Sequence, residues 1–159
     1  MLFNMLMYQK LISVDWFFFK SSTLPNSLND IITEGFIIQD ECYLSTKLTS
    51  YCQLCSIDYF EDSISFECFV NSFHMEDYVS EKYLEYSILF SNELLIQWHK
   101  KSAKPLNIII SLDDETSFPT VKFHLKRNDA SWLDEKNIES ITQPVLITNH
   151  NISMNDINI

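Results

Sequence analysis

Polar and apolar positions along the chain divide it into short alternating runs and one long helical stripe. Ile12 to Lys20 is an apolar, β-prone run and predicts a buried strand. Pro25-Asn26-Ser27 introduces a helix over about Leu28 to Glu34, with Ser27 placed to cap it and Asp30 three residues on. Gly35, the chain's single glycine, follows where a helix end often needs a left-handed residue. Phe36 to Leu44 reads as a further strand. Leu54 to Phe60 and Ser63 to Phe73 alternate with period two and predict a hairpin turning at Glu61-Asp62. In its second strand Ile64, Phe66, Cys68 and Val70 share the core face. Ser65, Glu67, Phe69 and Asn71 share the outer one, where Phe69 and Phe73 stand without a core to enter.

Beyond Glu76 the period changes. Val79, Tyr83, Tyr86, Phe90, Leu94 and Trp98 recur at three and four and predict a helix to Lys101, with a break offered at Ser91-Asn92. Acids at its start and lysines at its end agree with the helix dipole. Leu106 to Leu112 and Thr120 to Lys126 read as strands joined through Asp113-Asp114-Glu115 and Pro119. A short helix over Ser131 to Ser140 and a strand over Pro144 to Thr148 complete the domain. The expected fold is α+β: one domain over residues 1–150, an antiparallel sheet packed on one long helix with shorter ones, then an Asn-rich tail, 151–159, expected to fray.

Composition narrows the function. With 159 residues and 46% hydrophobic content, the chain can bury roughly 70% of its unfolded surface without a metal or disulfide. One glycine is too few for a phosphate loop or a dinucleotide fingerprint, which need close backbone approach. Residues 28 to 99 hold 13 acids and 2 bases, the whole of the net charge of −11. Such a field repels nucleic acid and attracts basic partners. Lys122, Lys126 and Arg127, near one strand end, are too few to reverse it.

No catalytic constellation emerges. His74, His99, His124 and His150 lie in no HExxH or nucleophile-elbow context, and a His124 pairing with Asp113 to Glu115 would lack a nucleophile. No calcium loop occurs. Cys52-x-x-Cys55 is half a zinc pattern without its second pair, so the four cysteines are expected reduced and structural, with no metal or cofactor. That usage fits a cytoplasmic setting. The apolar start lacks a basic leading segment and a cleavage site, and its polar residues interrupt any membrane span.

The chain as a whole resembles the immunity proteins of bacterial contact-dependent inhibition and other polymorphic toxin systems. The likeness lies in its size, its Ile/Asn/Ser-heavy composition, its acidic excess and the closing segment ASWLDEKNIESITQPVLIT, a Trp-Leu before a short helix and a Pro-Val-Leu-Ile strand after it. This resemblance implies a cytoplasmic, non-enzymatic protein that binds and neutralises one cognate toxin domain. Many such toxins are nucleases with basic clefts. On this reading the stretch SIDYFEDSISFECF is the expected binding surface, with Asp58, Glu61, Asp62 and Glu67 for charge and Tyr59 and Phe69 as anchors. Asp113, Asp114 and Glu115 are the second choice. The alternative is an acidic nucleic-acid mimic that inhibits a defence or restriction nuclease.

Overall fold

In the computed structural model, residues 1–52, 54–127 and 130–157 are described. The centre is β5 (Leu106–Leu112), an almost unbroken apolar run. Such a run suits a strand covered on both faces. It pairs antiparallel with β6 (Pro119–Leu125) and with β7 (Val145–Thr148). Two short strands, β1 (Leu2–Phe3) and β4 (Ser72–His74), complete an antiparallel sheet in the order β1-β7-β5-β6-β4. A separate hairpin joins β2 (Phe36–Gln39) to β3 (Cys42–Ser45).

Both faces of the sheet are covered, and the alternation along β5 assigns them. Leu106, Ile108 and Ile110 pack with Phe123 and Leu146 against α1 (Met5–Leu11), α2 (Asn26–Thr33) and α5 (Tyr83–Lys101). Ile109, Val145 and Ile147 face the other way, onto Ile64 and Cys68 of α4 (Ser63–Val70) and onto Ile138. The domain is α+β, with the antiparallel sheet packed on one long helix, as the pattern predicts.

Several local expectations change. The run Ile12 to Lys20 is not a strand. The first helix ends at Leu11, and Phe18–Lys20 form a short 3-10 turn. Its rings pack against one another and on α5, with Phe18 4.9 Å from Tyr86 and Phe19 5.4 Å from Trp16. Helix α2 starts at Asn26 on Pro25 with no side-chain cap, so Ser27 lies inside it, while Gly35 does take the left-handed conformation (φ 73°). Phe36 to Leu44 is two strands, not one. Asp40 (φ 50°) and Glu41 (φ 61°) form the tight turn, a left-handed conformation that Asp tolerates and that is uncommon for Glu.

The largest change is at Leu54 to Phe73. Ile57–Tyr59 form a 3-10 turn and Ser63–Val70 form α4, so no hairpin exists there. Alternating apolar residues arise because α4 is buried on two sides. Ile64 and Cys68 meet the sheet, Phe66 and Val70 meet Cys42 and Leu44 of β3, and each pair is spaced i, i+4 on the helix. Interleaved, the two pairs imitate period two. Phe73 of β4 is buried among Phe90 and Tyr78 rather than on an outer face.

Helix α5 begins at Tyr83, after Lys82 in a left-handed conformation, and runs through Ser91-Asn92 without a break. Ser91 donates back to Ser87 O (2.7 Å), and Asn92 clamps Ile152 by accepting from its N–H (2.7 Å) and donating to its carbonyl (2.9 Å). The expected short helix is a 3-10 stretch, Glu135–Ser140. Within the Asn-rich tail, Ile152 and Ile157 enter the main core. Residues 158 and 159 lie outside the described residues.

Candidate functional site

Helix α4 carries a third i, i+4 pair, and it is polar. Glu67 and Asn71 are both fully buried between β3 and β6. The Glu67 carboxylate accepts from Tyr43 N (2.8 Å) on one side and Leu125 N (2.8 Å) on the other. Arg127 adds a bidentate pair, with both nitrogens at 2.9 Å. This contact holds the guanidinium even further above its ordinary pKa. Asn71 accepts from Ser45 N (2.7 Å) and donates to Tyr43 O (2.8 Å) and Phe123 O (3.1 Å). The two side chains thus stitch the hairpin to the sheet where no strand ladder does. Glu67, expected to face a partner, is an internal strut.

The other sequence candidates do reach the surface. Asp62 caps α4, accepting from Ser65 N at 2.6 Å, and that bond lowers its carboxyl pKa. Asp58 and Glu61 are exposed, Tyr59 is 78% exposed and Phe69 54%. Phe60 lies between Phe69 (5.1 Å) and the buried Phe66 (5.2 Å), so Phe69 rests on an aromatic stack rooted in the core. Leu54, 92% exposed, and Tyr51, 72%, precede this stretch in the chain.

Tertiary structure adds two acids that the sequence did not nominate. The Asp40-Glu41 turn comes beside the start of α4, where Cys42 Sγ approaches Ser63 O at 3.9 Å and Arg127 donates to Glu41 O at 3.4 Å. The polar dipeptide inside an apolar run was the available sign of that turn. Asp40, Glu41, Asp58, Glu61 and Asp62 therefore gather around one apolar cluster of Cys42, Phe66 and Phe60. Among the described residues none of the five is in an ion pair. Some acids elsewhere are paired: Lys47 lies 3.0 Å from Glu34 and Lys82 3.0 Å from Asp15.

The cysteines divide. Cys42 and Cys68 are free and buried, and burial pushes the Cys68 thiol up to about 12. Cys52 and Cys55 are joined by a disulfide, contrary to the expectation of four reduced thiols. A tight turn, in which Cys55 N donates to Cys52 O (3.1 Å), brings their Cα atoms to 5.6 Å, within the span that a disulfide bridges.

The second-choice acids, Asp113, Asp114 and Glu115, form the exposed tip between β5 and β6. Asp113 is held by its own loop, accepting from Thr116 N at 2.8 Å, which lowers its pKa. His124 sits at the far end of β6 from this tip, buried, with Nδ1 2.8 Å from Leu125 O. No His–Asp pair joins them. What the surface around α4 offers is negative charge beside exposed rings, a recognition chemistry.

A relative from Pasteurella multocida (strain Pm70), described as "Uncharacterized protein PM0498", is 35% identical over 91 residues, 55% of this chain. The matched part spans 58% of that relative's length. No solved structure matches. A family profile matches residues 2–156, nearly the whole fold just described, and the chain accordingly belongs to the Uncharacterized protein PM0498 family.

Proposed function

We propose that the chain is a cytoplasmic immunity protein, a binding protein without catalysis of its own, which neutralises a basic toxin domain by covering its cationic surface. One observation supports the reading above others. Exposed Asp58, Glu61 and Asp62, without an ion pair among the described residues, share one short segment with Tyr59 and Phe69, whose rings remain open to solvent, and exposed Asp40 and Glu41 turn beside the start of the same helix. Carboxylates steer a cationic partner into encounter, and aromatic anchors slow its departure. A toxin nuclease with a basic cleft is the class of partner that this pairing suits best. The excess of acids is confined to residues 28 to 99 rather than spread along the whole chain, which favours a local interface over a general nucleic-acid mimic.

Co-expression with the C-terminal toxin domain encoded by the adjacent gene tests the proposal, and the absence of any such gene beside this chain would itself count against it. Growth rescue and co-purification are the expected results; neither occurring refutes it. Kinetics then locate the interface. Replacing Asp58 and Asp62 with Asn and Glu61 with Gln keeps a capping oxygen at 62, so the fold should hold. Association should slow and lose much of its salt dependence. Tyr59→Ala should raise the dissociation rate, at a cost of about 2 kcal/mol for an anchor.

A further inference from the structure

Among the described residues, strand β2 pairs with β3 and with no other strand. Its register fixes which backbone groups are free. The turn at Asp40-Glu41 makes Gln39 and Cys42 the first pair, and Ile37 faces Leu44 two positions on. In a two-residue hairpin those pairs exchange ladder hydrogen bonds, so the N–H and C=O of Phe36 and Ile38 point away from β3. Beyond them the strand is exposed: Ile37 is 40% and Ile38 65% accessible. The strand itself, Phe36–Gln39, contains no proline or lysine, two of the usual protections against strand addition.

Next to the edge lies a cleft of about 480 Å³, lined by Phe36, Ile38, Tyr43, Gln97, Trp98 and Lys101 among others. Its floor is aromatic and preformed, because Trp98 meets Phe36 at 4.9 Å and Tyr43 at 5.6 Å, and its indole N–H is held by Lys104 O at 2.6 Å. Side chains of a strand added along β2 would fall alternately over this cleft. Acids stand at both ends of the strand, Glu34 before it and Asp40-Glu41 after it. Glu34 shares its charge with Lys47, whereas Asp40 and Glu41 have no ion-pair partner among the described residues.

We propose that the outer edge of β2 is a strand-addition site for an extended segment of a protein partner, carrying apolar residues over the Trp98 cleft and a basic residue at each end. A second copy of this chain fits poorly. The fullest antiparallel overlap, with Phe36 and Ile38 pairing across the two copies, sets Asp40 opposite Glu34, and like charges directly opposed are destabilising. Each copy also carries a net charge of −11. The site shares Asp40 and Glu41 with the acidic surface around α4, but its edge and its Trp98 cleft do not include Tyr59 or Phe69, and it does not require the partner to be a toxin.

The probe is the peptide acetyl-Lys-Thr-Val-Thr-Val-Thr-Lys-amide, whose lysines and valines share one face of a strand and match the positions of Asp40, Ile38, Phe36 and Glu34. Titrated into the full chain at up to millimolar concentration, it should shift the backbone amide resonances of Phe36 and Ile38 and the Trp98 indole resonance. Replacing both lysines with glutamate should abolish the shifts. N-methylation of the two valines, which would pair with the edge, should weaken binding about tenfold or more, while N-methylation of the central threonine, which points to solvent, should not. Ile38→Pro removes an outward N–H without losing a ladder bond, and should weaken binding comparably at an unchanged melting temperature. The peptide series still decides if that variant fails to fold. Absence of shifts, equal tolerance of every N-methylation, equal binding of the glutamate peptide, or self-association of the chain through β2 would each overturn the proposal. Loss of toxin binding in the Tyr59 variant with peptide binding intact would separate the two surfaces.

Discussion

Glu67→Ala removes a carboxylate that four donors share, and the structure allows its cost to be estimated. Tyr43 N and Leu125 N lose their acceptor, and a buried orphaned amide costs about 1–3 kcal/mol. Arg127 loses its bidentate partner, but its side chain is 29% exposed and can turn partly to water. Removing one member of a buried pair typically costs about 3–5 kcal/mol. Loss of about 4 kcal/mol is therefore expected, which lowers the melting temperature by roughly 8–16 °C in a domain of this size. Urea unfolding followed by far-UV circular dichroism gives the free energy. Glu67→Gln should recover part of it, since its amide oxygen still accepts but its NH₂ meets a donor. Combining Glu67→Ala with Arg127→Ala should show coupling above about 1 kcal/mol, because each single variant strands the other group. A loss below about 1 kcal/mol for Glu67→Ala, or strict additivity with Arg127→Ala, would refute the strut. It would also return Glu67 to the list of surface acids available to a partner.

Trp98→Ala should cost about 3–5 kcal/mol by emptying the ring contacts with Phe36 and Tyr43; less than about 1 kcal/mol, by thermal melts, would mean that the stripe of α5 does not face the core. His124 gives a pH dependence of known sign. Burial lowers its pKa below the ordinary 6.5, so the unfolded chain binds the extra proton first and stability falls as pH drops from about 7 to below 6, levelling once the folded state also protonates. Urea midpoints for wild type and His124→Gln at pH 7.5 and 5.5 test this. An equal pH response in both proteins would show that His124 is not its source.

Much of the fold was readable locally. Leu106 to Leu112, Thr120 to Lys126 and the helical stripe that ends at Trp98 are long and singly periodic, because each meets a large continuous core. Gly35 was readable for a different reason, since a left-handed residue after a helix favours one amino acid. Residues 54 to 73 were not. Helix α4 is sandwiched between two layers, so two helical faces overlaid in one sequence look like a strand, and the energy that selects the helix comes from β3 and the sheet rather than from its own pattern. The candidate site divides in the same way. Exposed Asp58, Tyr59, Glu61, Asp62 and Phe69 could be nominated from composition alone. Whether an acid faces solvent or an arginine 60 residues away is decided only when the chain folds, and that is what buried Glu67 and brought Asp40 and Glu41 to the surface beside α4. Local sequence sets propensity and period, whereas burial and pairing depend on contacts between distant segments, which no local window contains.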